Sequence, residues 1–337
     1  MNQPTVAIIV LNWNGIDDTV DCIDSLIGQS YENAKIIIVD NGSDDGSLEV
    51  LRKMQKKWHS KIVLIENGKN SGFAGGVNIG ILYAINHQFD YVALFNNDAI
   101  AEEQWLYHLI KAIEKPDASI ATGLLLRSDG KTIDGTGDFY SYWGMPFPRD
   151  RNQLTAKKAD SGYVFGATGG ASLYRTSLFT EIGLFDVHFF AYYEDIDISF
   201  RAQLAGHKIY YTSQAVAYHQ QGASSNKMRG FTVYQTFKNI PILFVKNVPL
   251  RLLFPVGARL LLVYFLMFAN AVKNGKGWYA LKGWLMSIWI FFTSSLWQRF
   301  VIQKHKTVTS RYIKSAMWPS LPPDQTGVRA FLAKFKR

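Results

Sequence analysis

Short apolar runs recur through the first hundred residues, at 5–11, 35–39, 62–65 and 91–95, and each closes on polar residues. The closing residues are Asn12-Trp13-Asn14, Asp40-Asn41-Gly42-Ser43, Glu66-Asn67 and Asn96-Asn97-Asp98. Runs of this length, rich in β-branched and aromatic side chains, predict strands. A helix-like stretch at 17–27 separates the first two. Strands alternating with helices predict an α/β protein with a parallel, doubly wound sheet. Ligands of such sheets bind beyond the carboxyl ends of the strands, so the polar tails are the expected place for a site. Further on, Ile196, Phe200 and Leu204 recur every four residues and Gly206 offers a stop, which predicts a helix. The stretch 128–161, rich in Gly, Asp, Pro and basic residues, reads as an irregular excursion.

Beyond about residue 250 the pattern changes. Residues 252–272 are almost wholly apolar, interrupted by Pro255, Arg259 and Asn270. A basic turn, Lys273-Asn274-Gly275-Lys276-Gly277, leads into a second apolar run at 278–297, interrupted by Lys282. Each run approaches the ~20 residues that span a bilayer. Trp278, Trp284, Trp289 and Trp297 are spread along the second, and Trp favours the membrane interface. The expectation is a membrane-embedded hairpin or an in-plane helix pair at 249–337, following an α/β domain at 1–248 whose two halves meet near residue 100. A buried hairpin of a soluble helical subdomain, or a dimer interface, is the alternative, since Arg259 and Lys282 are costly inside a bilayer.

Charge sharpens this division. The 337 residues carry a net +9, but residues 1–226 hold 18 Lys/Arg against 26 Asp/Glu, a net −8. Residues 227–337 hold 18 Lys/Arg against the single acid Asp324, a net +17. So lopsided a segment implies an anionic partner. Its apolar, Trp-rich character favours an anionic membrane surface over nucleic acid. Cys22 is the only cysteine, which excludes an intrachain disulfide and fits a reducing compartment. The run 6–11 is too short, and lacks the basic leader, for a signal peptide.

Chemistry concentrates in five places. Asp40, delivered by the end of a strand, is suited to accept hydrogen bonds from a nucleotide base, or equally to form an Asx-turn. The glycines of Asn70-Ser71-Gly72-Phe73-Ala74-Gly75-Gly76-Val77-Asn78 would let backbone approach a phosphate at a helix start. Asn96-Asn97-Asp98 offers oxygen side chains two apart, which suits Mg²⁺ or Mn²⁺ or makes a polar turn. Tyr193-Glu194-Asp195-Ile196-Asp197 crowds three carboxylates at the start of the predicted helix, as a cap or a site. His219, followed by the loop 220–225, is either structural or a partner for Asp98 at a cation.

In this order and spacing the motifs resemble the inverting glycosyltransferases of family 2, which have the GT-A fold, and their bacterial rhamnosyltransferase-like branch. The likeness covers residues 5–248 and includes Gly166-Ala167-Thr168-Gly169-Gly170-Ala171 and Phe237-Lys238-Asn239. It departs mildly at Val77 and at Lys238, where Asn and Arg are frequent. The resemblance implies a Rossmann-like mixed, mainly parallel sheet flanked by helices. It implies a donor site of Leu11, Asn12, Asp40, Asn70, Gly72, Asn78, Asn96 and Asn97, with Asp40 on the uracil or thymine ring. It makes Asp98 and His219 ligands of a divalent cation, Mg²⁺ or Mn²⁺, and Asp195 the general base. Glu194 orients the acceptor, Gly169, Gly170 and Tyr193 line the acceptor side, and Asp197 is structural, paired with Arg201.

The implied reaction moves a sugar from dTDP-L-rhamnose or a UDP-sugar to a polyprenyl-diphosphate-linked glycan or polysaccharide. It would run at the cytoplasmic face of the plasma membrane, in synthesis of the bacterial cell surface. A processive polysaccharide synthase is the nearest alternative, but the Gln-x-x-Arg-Trp motif of such enzymes is missing, and Trp297-Gln298-Arg299 has a different order. A non-catalytic membrane scaffold conflicts with the intact Asp98, Asp195 and His219. A dehydrogenase would need the G-x-G-x-x-G fingerprint, which is absent.

Overall fold

The computed structural model describes residues 3–220, 228–323, 325 and 327–329. Residues 221–225 of the segment after His219, and Asp324, lie outside the described residues. The chain opens with β1 (Val6–Asn12), α1 (Ile16–Ile27), β2 (Ala34–Asp40), α2 (Ser47–Lys57), β3 (Ile62–Glu66), α3 (Gly72–Asn86) and β4 (Tyr91–Asn96). β5 (Ala99–Ala101), α4 (Trp105–Ile113) and β6 (Ala118–Arg127) follow, then the short strands β7 (Ile133–Gly135), β8 (Asp138–Tyr140), β9 (Pro146–Pro148) and β10 (Gly162–Val164). β11 (Ala171–Arg175), α5 (Thr176–Ile182), α6 (Glu194–Ala205) and β12 (Lys208–His219) complete the sheet region. The described elements beyond it are helices: α7 (Phe231–Asn247), α8 (Leu250–Lys273), α9 (Gly277–Ile290), α10 (Leu296–Lys304) and α11 (Ser310–Ala316), with a π-helical turn at Phe291–Ser295 between α9 and α10.

One sheet runs in the order β10-β12-β6-β11-β4-β1-β2-β3, with β5 beside β12 and β7 beside β6. β4, β1, β2 and β3 are parallel. β11 runs antiparallel between β4 and β6, and β12 is parallel to β6. Alternate residues of β1 feed opposite cores: Val6, Ile8 and Val10 pack with α1, α2 and α4, while Ala7 and Ile9 pack with α3, α5 and α6. Burial on both faces is why these strands read as continuous apolar runs.

The stretch 128–161 is more ordered than its composition suggests. β7 extends the sheet beside β6, and β8 pairs with β9. Trp318 packs against Phe139 and Phe147, so contacts from far along the chain stabilise this hairpin where local periodicity does not.

The C-terminal helices are not an independent appendage. Val248, Leu252, Val256, Ile290, Ile313 and Met317 share one core with Phe189, Ile196, Phe200 and Leu204 around α6. The expected boundary at residue 248 falls inside that core. Leu250–Lys273 and Gly277–Lys304 are nonetheless long and apolar enough to cross a membrane, and the rest of the chain covers little of them. Phe254, Leu261, Phe265, Trp289, Phe292 and Trp297 all stand exposed. Arg259 donates to the Pro255 carbonyl and lies 4.9 Å over the Tyr142 ring, so its charge turns toward protein.

Candidate active site

The carboxyl ends of β1, β2 and β4 lie side by side, with Asn12 beside Asp40 and Leu11 beside Asn96 in the register. Asn12 Nδ2 donates to Asp40 Oδ1 (2.9 Å) and to Ser43 Oγ (3.0 Å), and the Ser43 N–H donates to Asp40 Oδ2 (3.1 Å). Asp40 is therefore buried with both oxygens held. Asn70 Oδ1 accepts the Gly72 N–H at 2.9 Å and Asn41 Nδ2 at 3.2 Å. Gly72 has φ +74°, and a Cβ there would lie 2.5 Å from the Phe190 carbonyl oxygen, so glycine is required on both counts. Leu11, Asn70, Gly72, Asn96 and Asn97 line one cavity of about 300 Å³ together with Trp13, Phe73, Phe190, Tyr192 and Phe231.

Asn78 departs from expectation. Its Nδ2 donates to the Phe185 carbonyl (2.8 Å) and its Oδ1 accepts the Phe185 N–H (3.0 Å). Both ends of this buried amide are spent joining α3 to the backbone 107 residues away, and it does not line the cavity.

Asp98 and His219 are brought together by pairing of β5 with β12, in which His219 sits opposite Ala99. Asp98 Oδ1 lies 3.0 Å from His219 Nε2, and Asn96 Nδ2 is 3.3 Å from the same nitrogen. Asn97 instead donates to Thr19 Oγ1 at 2.9 Å. The other imidazole nitrogen, Nδ1, donates to Asp134 Oδ2 at 2.9 Å, and Arg151 lies 3.2 Å from Asp134 Oδ1. Burial alone lowers the His219 pKa, but its hydrogen bonds to Asp134 and Asp98 outweigh this and push it up to about 9. Among the described residues no group of three or more His, Cys, Asp or Glu surrounds one point. Asp98 and His219 thus offer two ligands, a donor set that needs oxygens from a bound diphosphate or water to complete a hard-cation site.

The acidic cluster opens α6. Phe190, Tyr192 and Tyr193 before it have φ of +61°, +69° and +71°. Asp195 Oδ2 accepts the Gly169 N–H at 3.1 Å, and its Oδ1 accepts the Ile196 N–H at 2.8 Å. Burial raises the Asp195 pKa, against the pull of those N–H groups. A Cβ built on Gly169 would lie 3.3 Å from Asp195 Cβ and 3.5 Å from the Phe73 ring, so little separates this carboxylate from the cavity wall. Gly170 packs against the Asn96 amide, and its carbonyl accepts the Asn96 backbone N–H. Glu194 is only 6% exposed and its Oε2 has no partner among the described residues. Burial, then the neighbouring Asp195, push its pKa up to about 8. Asp197 has a different role: Arg201 Nε (2.9 Å), Lys246 Nζ (3.0 Å) and Asn247 Nδ2 (2.8 Å) converge on it, so the pairing with Arg201 is joined by two partners from α7. Lys238, where the likeness departs from the frequent Arg, buries its Nζ against the Phe189 carbonyl (3.1 Å).

Sequence reading passes over Asp134, Asp138 and Arg151, all within the stretch that reads as irregular. Asp138 is buried, and its pKa is raised well above the usual range by desolvation and then by Asp195. No spacing rule links these residues to His219 or Asp195. The only signal is the acid and basic content of a segment otherwise assigned to loop.

A cavity of about 300 Å³ at strand ends, beside a His–carboxylate pair and a helix-terminal carboxylate, is the kind of crevice in which α/β proteins bind their ligands. The family model described as "Glycosyl transferase family 2" matches residues 7–183, and the chain belongs to that family. An uncharacterized glycosyltransferase of Haemophilus influenzae is 34% identical over 125 residues, 37% of this chain and 38% of the relative. The poly-beta-1,6-N-acetyl-D-glucosamine synthase of Staphylococcus aureus is 25% identical over 214 residues, 63% of this chain and 49% of the relative. The chain therefore spans less than half of either relative. GalNAc-T7, solved with UDP, GalNAc and Mn²⁺, aligns with a TM-score of 0.59 at 18% identity, over 73% of this chain and 48% of that one. The mannosyltransferase PcManGT of Pyrobaculum calidifontis, solved with GDP-Man and Mn²⁺, aligns with a TM-score of 0.57 at 14% identity, over 94% and 86%. The fold is GT-A, with apolar C-terminal helices added.

Proposed function

We propose that the protein is an inverting glycosyltransferase of the membrane surface, with Asp195 as general base. It moves a sugar from a nucleotide diphosphate, dTDP-L-rhamnose or a UDP-sugar, to a lipid-linked glycan or polysaccharide acceptor. The observation that carries this reading is Asp195 itself: a partly accessible carboxylate at a helix N-terminus, oriented by the Gly169 and Ile196 N–H groups, next to the wall of the donor cavity. Its two N–H donors and the helix dipole favour the ionised form that accepts a proton from the acceptor hydroxyl. Attack in one step opposite the leaving group inverts the anomeric centre.

The other residues divide the remaining work. Asn12 and the Ser43 N–H hold the Asp40 carboxylate at the end of β2, beside the expected base-binding side. Asn70 and Gly72 shape the cavity floor. Asp98 and His219 would hold Mg²⁺ or Mn²⁺ against the diphosphate, in keeping with the Mn²⁺ of both structural neighbours. A bound divalent ion supplies charge stabilisation of the departing diphosphate. The exposed apolar helices and the net +17 of residues 227–337 support attachment to the anionic cytoplasmic leaflet, where a lipid-linked acceptor would lie.

The decisive experiment pairs donor binding with turnover in Asp195→Asn. Donor affinity should persist while turnover falls about 10²–10⁴-fold; near-normal turnover removes Asp195 as base. A panel of UDP-, dTDP- and GDP-sugars, followed by donor hydrolysis, identifies the donor. A processive polysaccharide synthase is the second reading, favoured by the similarity to the Staphylococcus aureus synthase. Products lengthened by many sugars would select it, and single-sugar addition would select the first.

A further inference from the structure

We infer that Asn239 is a positioning residue: from α7 its side-chain amide holds the loop that presents Glu194 and Asp195 to the substrates. This rests on the reading of Asp195 as base. Three residues of that loop, Phe190, Tyr192 and Tyr193, have positive φ, which bulky side chains adopt only when their surroundings over-determine the backbone. Asn239 Nδ2 bonds three of the loop's carbonyls, while Lys238 Nζ shares that of Phe189 and the Ala74 N–H donates to that of Phe190. The amide nitrogen lies 3.0 Å from the Phe189 carbonyl oxygen, 2.9 Å from that of Ala191 and 2.8 Å from that of Tyr192. Three acceptors around one amide nitrogen settle which way the amide points, and Oδ1 on its far side is buried without a partner among the described residues. The side chain is fully buried, so no water competes for the carbonyls.

α7 can serve as a platform because the tail grips it at the same level. Pro241 has no N–H, so the Phe237 carbonyl loses its helical partner. Tyr264 Oη of α8 donates to that oxygen at 2.6 Å. α9 crosses closely enough that a Cβ on Gly283 would lie 2.3 Å from the Tyr234 carbonyl oxygen. The apolar tail thus braces the helix that holds the catalytic loop.

The test is Asn239→Asp, which keeps size and shape but replaces the N–H donors by a carboxylate facing three carbonyl oxygens. Turnover at saturating donor should fall at least about tenfold, because a small displacement of a catalytic group costs rate, and donor Kd should weaken beside it, because Phe190 and Tyr192 of the same loop line the donor cavity. A smaller loss in kcat, or a loss confined to donor affinity, overturns the inference. Should the variant fail to fold, hydrogen exchange on the wild-type protein decides. The Ala191 amide, bonded to Phe189, should exchange in the same slow class as the middle of α7. Exchange about 100-fold faster than α7 would show that the loop opens independently and would also overturn the inference. If Asp195→Asn is near-normal while Asn239→Asp is not, the base assignment fails and the positioning of the loop stands.

Discussion

His219 Nδ1 donates to Asp134 Oδ2 at 2.9 Å across 85 residues of sequence. The bond keeps the proton on Nδ1 and turns Nε2 toward Asp98, 3.0 Å away. A carboxylate behind a histidine is the arrangement by which metal-binding imidazoles are oriented and made more basic. Arg151 closes the far side of Asp134.

Asp134→Ala should therefore raise the Mn²⁺ concentration for half-maximal transfer about 10–100-fold. The rate should recover at saturating metal, since Asp98 and the donor diphosphate remain. Metal titration of activity, with direct Mn²⁺ binding measured in the presence of nucleotide, checks this. An unchanged metal requirement would show that Asp134 is only a packing residue.

Glu194 links stability to pH. Its pKa rises from an ordinary 4.5 to about 8 on folding, through burial and then the charge of Asp195. The folded state then binds more protons than the unfolded state between these values, so stability falls as pH rises through that window. Glu194→Gln removes this titration. Urea midpoints of the variant should lie increasingly above those of wild type from pH 5 to pH 8, and parallel curves would refute the assignment.

The buried Lys246 joins α7 to two carboxylates, Asp186 at 2.5 Å and Asp197 at 3.0 Å. Lys246→Met leaves both acids buried with less compensation, and should cost about 3–5 kcal/mol. Asp186→Asn added to it should restore part of the loss, which a double-mutant cycle in denaturant measures.

Removing the tail after Asn247 is a poor test of membrane attachment, because it would strip Leu252, Val256, Ile290 and Ile313 from the core around α6. Replacing exposed Trp289, Phe292 and Trp297 by Ser leaves that core intact. The triple variant should stay folded and be released from anionic vesicles, and binding by the wild type should weaken as salt rises. Retention of the triple variant in vesicle sedimentation would locate the attachment elsewhere.

Features encoded locally are legible in the residues themselves. The strands expected at 35–39 and 62–65 emerge as Ala34–Asp40 and Ile62–Glu66, each longer by a residue or two. The predicted helix appears as Glu194–Ala205, stopped by Gly206 at φ +93°. Asp40 and Asn96 fall on one edge, on either side of β1, because strand ends of a parallel sheet share that edge. The stretch 128–161 is illegible because its strands are three residues long and depend on distant partners such as Trp318.

Periodicity and motif order are enough to establish the α/β class and the family, and to point to the edge that carries the candidate site. They succeed because burial on a strand or helix imprints a repeat on neighbouring residues. They could not show that Asn78 is consumed by Phe185, that Asp134 stands behind His219, or that Asn239 grips the loop before Glu194. Those outcomes depend on side-chain hydrogen bonds between residues 47 to 107 positions apart, which leave no repeat in the chain and exist only once the helices and the sheet have packed.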